Sequence, residues 1–398
     1  MFRTIFSSLL IFTFSFQPGL VKSQSYHKIH ERALVVDTHN DVLSSASMKG
    51  MLLDVDLRGK SQSDLNRFKK GGVDVEVFSI FCDETYSKGK AYRYANREID
   101  SLYAVAARNP NKMQIVYTPN QLLNTVKSRK LAAMMGVEGG HMIEDKIEYL
   151  DSLFTRGVRY MTLTWNNSTS WASSAYDETL HPDSLSHKGL NDLGKKIVNE
   201  MNFLGMIVDL SHVGEKTFYD AIQVSVKPII CSHSSVYNIC PVFRNLKDDQ
   251  IRAVGKNNGV IQVNFYSGFL DSSYSKKITL FYKEHKKEND SLLNQKMSPF
   301  QISLAFSKKY SSEFDSFRPP ISLLIDHIDY IVKLIGVDHV GLGSDFDGIE
   351  SSPKGLDDVS DFPKITKALL ERGYSEKDID KILGGNFLRV FKANSKDN

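Results

Sequence analysis

Eight short apolar, β-branched runs alternate along this chain with segments of helical periodicity, and this alternation constrains the fold more than any other feature. The runs are Ala33–Asp37, Val73–Phe81, Ala132–Val137, Tyr160–Leu163, Met206–Leu210, Pro228–Cys231, Val260–Phe265 and Val340–Leu342. The segments after them predict helices at Ser61–Lys69, Ala91–Ala107, Ile147–Thr155, His187–Phe203, Glu215–Ile222, Asp248–Lys256, Ile321–Leu334 and Phe362–Glu371. Eight strands that are each followed by a helix favour an α/β fold, a closed (β/α)8 TIM-like barrel, over an open doubly wound sheet.

One segment, 271–317, interrupts this alternation between the seventh strand and the helix that opens at Pro319-Pro320. It is rich in Lys, Ser and Glu, and its charges alternate in sign, which predicts a solvated helical insertion. The insertion could overhang a site at the carboxyl ends of the strands. We therefore expect residues 24–398 to form a single barrel domain with this one insertion.

The first 23 residues have the layout of a secretory signal peptide. Arg3 precedes an apolar run from Ile5 to Phe16, and turn residues lead to a small-residue ending at Ser23. The apolar run is shorter than the roughly 20 residues that span a bilayer, which favours cleavage near Ser23 over a membrane anchor. No cysteine precedes Cys82 and the C-terminus is polar, so a lipid-anchor signal is not expected. These features predict a secreted or periplasmic protein without a stable membrane anchor after cleavage.

The charge balance argues against a polyanionic partner. Fifty Lys and Arg against 47 Asp and Glu leave a formal charge of +3, too small for the field that nucleic-acid binding requires. A small-molecule substrate is therefore expected, and no nucleic acid.

With only Cys82, Cys231 and Cys240 present, at most one disulfide can form and a cysteine-based metal site lacks its ligands. The oligomeric state is left open, a homodimer included.

Side chains that bind metals or move protons follow five of the eight strands. They are His39, Asp41, Glu138, His212, His233 and Asp345. In a barrel these loops converge on one face, so residues about 300 positions apart can share one site. Imidazole and carboxylate without thiolate favour zinc, with manganese and cobalt as alternatives, over calcium or magnesium. A carboxylate can bridge two ions about 3.5–4 Å apart, and Glu138 is the candidate bridge.

Such a metal pair converts water to hydroxide near neutral pH, and the hydroxide attacks a carbonyl group. A proton carrier is then needed, and Asp345 is placed to take the water's proton and pass it to a leaving amine. The stretch around Asp345 does not fit a dinucleotide loop, because Phe346 stands at the third glycine position. It does not fit a calcium loop either, because Glu350 stands where that loop needs glycine. A serine triad would leave the histidines and carboxylates unexplained.

Six ordered motifs resemble those of the membrane (renal-type) dipeptidases, zinc peptidases of the amidohydrolase-like barrel class. They are Asp37-Thr-His39-Asn-Asp41, Val137-Glu138-Gly-Gly-His141, Asp209-Leu-Ser-His212-Val, Ser232-His233-Ser-Ser with Arg244-Asn245 downstream, Val263-Asn-Phe-Tyr266, and His339-Val-Gly-Leu-Gly-Ser-Asp345-Phe-Asp-Gly348. The resemblance runs from about Val35 to Phe391. It implies two zinc ions per chain, the first bound by His39 and Asp41, the second by His212 and His233, with Glu138 between them.

The resemblance also implies roles for residues beyond the metal ligands. Asp345 resembles the family's catalytic acid/base, Arg244 the residue that receives the substrate's terminal carboxylate, and Tyr266 a residue of the substrate pocket. A guanidinium can grip a carboxylate with two hydrogen bonds, although the sequence alone leaves a solvated surface arginine open. Where the family has a substrate-contacting histidine, this chain has Trp165. Indole donates one hydrogen bond and accepts none, so we expect an altered substrate preference with the metals retained.

These observations predict an exported two-zinc enzyme that hydrolyses dipeptides with a free C-terminal carboxylate. Two alternatives are carried forward. One is a related amidase, lactamase or deacylase that acts on another small amide. The other is a non-catalytic binding protein of the same fold, against which the presence of Asp345 argues, because binding alone needs no proton carrier.

Overall fold

The computed structural model describes residues 26–86, 89–297 and 299–396, and the predicted signal peptide, residues 1–23, lies outside them. Within these ranges, parallel strands form one sheet that curls into a nearly closed barrel, so the predicted (β/α)8 barrel is confirmed. The strands are β1 (Val36–Asn40), β2 (Val75–Phe81), β3 (Met113–Ile115), β4 (Leu131–Glu138), β5 (Val158–Thr162), β6 (Ile207–Asp209), β7 (Ile230–Cys231), β8 (Val260–Val263) and β9 (Val340–Leu342).

The eight barrel strands lie in the order β1-β2-β4-β5-β6-β7-β8-β9, and β3 pairs with β4 off this path. A parallel bridge between Asn40 and Phe346 brings the chain after β9 back to β1. Two backbone hydrogen bonds accompany it, from Asp41 N to Phe346 O (2.9 Å) and from Asp345 N to His39 O (3.0 Å). The seam of the barrel therefore places the loop after β9 directly beside the end of β1.

Helices surround the barrel and follow most of its strands. They are α1 (26–32), α2 (Val42–Ser45), α3 (Leu65–Gly71), α4 (Ala91–Arg108), α5 (Pro119–Lys127), α6 (Ile147–Thr155), α7 (Ala175–Leu180), α8 (Asp192–Leu204), α9 (Glu215–Val224), α10 (Asp248–Lys256), α11 (Ser267–Leu270), α12 (Tyr274–Glu284), α13 (Lys286–Asn294), α14 (Pro299–Lys309), α15 (Ser311–Phe317), α16 (Ile321–Ile335), α17 (Phe362–Arg372), α18 (Glu376–Asp380) and α19 (Asn386–Asn394).

Burial on both faces explains why the strands read as continuous apolar runs. In β2, Val75 and Val77 belong to an inner cluster, whereas Phe78 and Ile80 belong to the larger cluster that the helices cover. Helix α19 joins the inner cluster through Phe387. It closes the amino-terminal end of the barrel, which leaves the carboxyl ends of the strands as the open face.

The structure differs from the sequence prediction in several elements. The helix predicted from His187 begins at Asp192, because the Asn191 side chain accepts hydrogen bonds from the next backbone N–H groups and so caps it there. Strand β3 and helices α5 and α19 were not predicted. Strand β3 has three residues, too short for the alternation of a strand to be read.

The segment expected as a helical insertion contains α12, α13, α14 and α15, between α11 and α16. Phe281, Ile302, Phe306 and Phe314 form a small core of its own. None of the helices in the described ranges is long and apolar enough to cross a membrane.

Candidate active site

The carboxyl ends of the strands surround a cavity of about 600 Å³. Of the residues singled out from the sequence, seven line it, and they are Asp41, Glu138, Trp165, His212, Arg244, Tyr266 and Asp345. His39 and His233 lie beneath its floor and are almost fully buried. The topology therefore brings all nine candidates to one face of the barrel.

Glu138, the last residue of β4, lies at the centre of the candidate metal ligands. Its Oε2 atom is 3.4 Å from His39 Nε2, which in turn is 3.6 Å from Asp41 Oδ2. Its Oε1 atom is 2.9 Å from His212 Nε2 and 3.5 Å from His233 Nε2. The two oxygens of one carboxylate thus face two separate groups of ligand atoms, as expected for a bridging position.

The hydrogen bonds of the three imidazoles assign the proton of each ring to Nδ1. Tyr160 donates its hydroxyl hydrogen to the Thr38 carbonyl (3.0 Å) and so accepts from His39 Nδ1 (2.8 Å). Likewise, His212 Nδ1 donates to the side-chain amide oxygen Oδ1 of Asn166 at 3.1 Å. With Nδ1 as the donor in each ring, Nε2 is the nitrogen that faces the candidate metal position. Against the lowering effect of burial, Tyr160, Glu138 and Asp41 raise the pKa of His39 well above its ordinary value, so a metal at His39 would displace a proton from Nε2.

His233 is oriented through a two-step relay. Ser232 donates its hydroxyl hydrogen to Asp209 Oδ2 (2.6 Å), so its oxygen accepts from His233 Nδ1 (2.8 Å). Burial, together with the nearby His39 and Arg244, lowers the pKa of His233 well below its ordinary value. The ring is therefore neutral near pH 7, the form in which imidazole binds a metal.

The donor set fits a pair of metal ions. His39 Nε2 and Asp41 Oδ1 are buried and have no hydrogen-bond partner among the residues that the structure describes, which costs free energy unless a cation coordinates them. Ligand atoms of His39, Glu138 and His233 lie within 4.8 Å of one another, and so do those of His39, Asp41 and Asp345. Burial and the Arg244 charge lower the pKa of His212 to about 3, so this ring is neutral as well.

Asp345 follows β9 in a left-handed backbone conformation, with φ of 61°. Its Oδ2 atom accepts a hydrogen bond of 2.8 Å from the Asn264 amide. A Cβ atom on Gly348 would lie 2.6 Å from Asp345 Oδ1 and 2.3 Å from Asp41 Oδ2, so glycine leaves room for both carboxylates. Burial and the neighbouring Asp41 raise the pKa of Asp345 well above its ordinary value, which suits a group that takes up and returns a proton.

Arg244 is a buried cation at the cavity wall. Its Nη2 atom donates to the His233 carbonyl oxygen at 3.4 Å, and its guanidinium lies 5.3 Å from the centre of the Phe269 ring. Burial lowers its pKa to about 10, so it stays charged at neutral pH. Within the described part of the chain no carboxylate forms an ion pair with it. A buried charge of this kind needs an anion, and the adjoining cavity offers room for one.

The two remaining candidates, Tyr266 and Trp165, both line the cavity. Tyr266 packs edge-on against Phe269, with ring centres 4.9 Å apart, on the same side as Arg244. Trp165 packs against Phe81, with ring centres 5.0 Å apart. Phe81 was not singled out from the sequence, because an aromatic residue at the end of a buried strand reads as core.

Sequence reasoning also missed the residues that orient the ligands. They are Tyr160, Asn166, Asp209, Ser232 and Asn264. Most of them stand inside the quoted motifs. Asp209 is the last residue of β6 and Asn264 directly follows β8, and both are fully buried polar residues. The signal available in the sequence was a polar residue within an apolar run. Which residue forms its hydrogen bond depends on the strand order of the barrel, which the sequence does not state.

The family model described as membrane dipeptidase (peptidase family M19) matches residues 23–398. The mouse protein named Dipeptidase 3 is 32% identical over 362 residues, which cover 90% of this chain and 64% of that protein. An uncharacterized dipeptidase of Schizosaccharomyces pombe is 32% identical over 396 residues, covering 93% of this chain and 82% of that protein.

Solved structures agree with these relatives in fold. The probable dipeptidase PvdM from Pseudomonas aeruginosa superposes with a TM-score of 0.79 at 26% identity, covering 95% of this chain and 99% of that one. A metallo peptidase from Rhodobacter sphaeroides, liganded with a phosphinate mimic of the dipeptide L-Ala-D-Ala, gives a TM-score of 0.73 at 21% identity, covering 91% and 99%.

Proposed function

The chain belongs to the membrane dipeptidase family, peptidase family M19, and from this premise we propose that it is a metal-dependent dipeptidase. The observation that carries the proposal is the division of the ligands around Glu138, beside a buried Arg244 that forms no ion pair with a carboxylate of the described residues. Its relatives named dipeptidase and its neighbour liganded with a dipeptide mimic support this activity.

We propose two zinc ions as the metal. His39 and Asp41 would hold the first, His212 and His233 the second, and Glu138 would contribute one oxygen to each. When bound, the ions supply an activated water molecule as nucleophile and polarise the scissile carbonyl group. The combination of imidazole and carboxylate ligands, with His212 and His233 neutral, supports zinc.

In the proposed reaction Asp345 moves the proton. Its carboxylate takes the proton from the attacking water and donates it to the leaving amino group. The Asn264 amide holds Oδ2, so the other oxygen is left to face the reacting atoms. The raised pKa of Asp345 supports this role, because it increases the affinity of the carboxylate for the proton that it takes from water.

Arg244 would bind the substrate's terminal carboxylate with two charge-assisted hydrogen bonds. The carboxylate would replace the missing counter-ion of a buried guanidinium, and this selects substrates that end one residue after the scissile bond. Tyr266 lines the same side of the cavity and would contact the C-terminal residue. The chain would therefore cleave dipeptides and not the interior bonds of longer peptides.

The chain spans 64% of the length of mouse Dipeptidase 3.

We also propose, from the sequence layout, that residues 1–23 direct export and are removed. N-terminal sequencing of the protein recovered from its native host tests this, and an intact Met1 in the mature protein would contradict it. A homodimer remains a further proposal, for which sedimentation velocity is the direct measurement.

A substrate panel tests the proposed function. Zinc-loaded protein is incubated with unmodified dipeptides, with N-acyl amino acids and with β-lactams, and the released amines or acids are measured. We expect the dipeptides to be hydrolysed most efficiently. Preference for another amide class would favour the amidase, lactamase or deacylase alternative, and no turnover of any class would favour the binding protein.

A further inference from the structure

Two aromatic rings, those of Phe81 and Trp165, form one wall of the cavity. Phe81 is the last residue of β2, and Trp165 follows β5 by three residues. Both side chains are partly exposed, both line the cavity, and their ring centres are 5.0 Å apart with planes at 58°. The wall is therefore built from two separate strand ends that meet only in the fold.

The strand order places this wall opposite the carboxylate-binding residue. Strands β2 and β5 are the two neighbours of β4, which ends at Glu138, so the rings flank the proposed bridging carboxylate. Arg244 lies between β7 and β8, and Phe269 follows β8. The Arg244 guanidinium contacts the His233 carbonyl oxygen after β7 and the Phe269 ring after β8, and these strands are three and four places from β4, so the guanidinium lies across the mouth from the end of β4.

The backbone holds both rings in place. Gly139, with φ of 105°, lies against Trp165, since a Cβ atom there would be 3.3 Å from the tryptophan Cβ. The Phe81 amide donates a 2.8 Å hydrogen bond to the buried Glu98 carboxyl group, which fixes the end of β2. The rings are therefore a preformed surface, and a ligand that covers them loses little conformational entropy in the protein.

We propose that Phe81 and Trp165 form the subsite for the side chain of the substrate's N-terminal residue, and that the enzyme prefers large apolar or aromatic side chains there. The inference rests on the proposed function, because Arg244 sets the direction of the dipeptide. With the terminal carboxylate at Arg244 and the amide at Glu138, the N-terminal residue reaches the aromatic wall.

The aromatic character of Phe81 and Trp165 determines which N-terminal side chains the subsite prefers. An apolar side chain that covers the partly exposed rings removes apolar surface from water on both partners, and aromatic pairs gain additional energy from tilted packing. A polar side chain loses water against the same rings, because phenyl accepts no conventional hydrogen bond and indole has only one donor. Trp165 therefore acts as a specificity-determining residue.

Four dipeptides test the inference with zinc-loaded protein. The kcat/KM ratio of phenylalanyl-glycine to alanyl-glycine reports the N-terminal side chain, and the ratio of glycyl-phenylalanine to glycyl-alanine reports the C-terminal one. We expect the first ratio to exceed about tenfold, the discrimination that an apolar pocket provides. Trp165→Ala should reduce the first ratio to near one and leave the second ratio unchanged.

Two variants separate the ring from its N–H group and from general effects. Trp165→Phe keeps an aromatic face, so most of the first ratio should remain. An equal fall in kcat for all four dipeptides in Trp165→Phe would overturn the inference, since the indole N–H would then act on the reaction itself. Phe203→Ala removes an aromatic ring that is 66% exposed and outside the cavity lining, and it should change neither ratio.

A binding measurement gives a second readout without turnover. The chain has two tryptophans, and Trp171 is fully buried, so a fluorescence change in Asp345→Asn protein reports Trp165. Phenylalanyl-glycine should saturate this change at a lower concentration than alanyl-glycine. Equal hydrolysis and equal binding of the two would overturn the aromatic wall and leave the dipeptidase assignment intact. If none of the four dipeptides were hydrolysed, the proposed function would be overturned and this inference with it.

Discussion

The Nε2 atoms of His212 and His233 lie 2.9 Å apart, and both face the same oxygen of Glu138. In each ring Nδ1 donates its hydrogen to an oxygen atom, so the lone pairs of the two Nε2 atoms face each other in a buried position. Lone pairs at this distance repel each other, and a shared cation removes the repulsion. This pair therefore points to the second of the two proposed metal positions.

The partners of Nδ1 should tune metal affinity without binding the metal. Tyr160→Phe removes the hydroxyl that accepts from His39 Nδ1, so we expect zinc affinity at the first position to fall about 10- to 100-fold. Isothermal titration of metal-free protein measures this. Tyr103→Phe is the matched control, because its hydroxyl bonds to Tyr117 and Arg156 in another part of the chain. Equal affinities for Tyr160→Phe and the wild type would contradict the tautomer assignment.

Asp345 should affect turnover more than metal content. Asp345→Asn keeps the shape of the side chain but cannot carry a proton, so kcat should fall by ~10²–10⁴, the usual contribution of general acid/base catalysis. Atomic absorption should still find the wild-type amount of zinc. Loss of zinc in this variant would make Asp345 chiefly a metal ligand.

Arg244 should distinguish a free carboxylate from an amide. Arg244→Ala should lower kcat/KM for dipeptides, which corresponds to a transition state destabilised by about 2–5 kcal/mol, as expected when one partner of a buried charge pair is lost. Dipeptide amides, already poor substrates, should be almost unaffected. Comparison of kcat/KM for both substrate types tests this, and an equal loss for both would indicate that Arg244 supports the loop instead of the ligand.

Glu76 should make stability depend on pH. Among the described residues no side chain forms a hydrogen bond with either of its buried carboxyl oxygens, and burial, together with the nearby Asp37, raises its pKa well above the ordinary value. The folded state therefore binds a proton that the unfolded state releases, so the Glu76 contribution to stability falls as pH rises above the unfolded pKa. Glu76→Gln should raise Tm relative to wild type, more at pH 8 than at pH 5, measured by thermal denaturation. A pH-independent difference would refute this.

The position of each candidate along the chain was enough to predict the shared site. His39 and Asp345 are 306 positions apart in number, but each follows a strand of a parallel barrel, so topology alone brings them to one rim. The orienting partners were not predictable in this way. The pairing of Tyr160 with His39 depends on a side chain that crosses the barrel interior, and local periodicity carries no information about such a contact.

The closure of the barrel by α19 escaped prediction for a related reason. Phe387 and Phe391 are apolar at helical spacing, which indicates a helix face but not the surface that covers it. The role of Trp165 was predicted as a change in preference because the motif around it was recognised. Its partner Phe81 became visible only when β2 and β5 were found on either side of β4.

Zinc titration of metal-free protein with dipeptide hydrolysis as the readout tests the central claim most directly. The protein is stripped with a chelator and zinc is returned in known steps, while bound metal and turnover are measured on the same samples. We predict that activity rises with zinc and reaches its maximum at about two ions per chain, since the ligands around Glu138 form two groups. Full dipeptidase activity in protein that binds no metal would contradict the account.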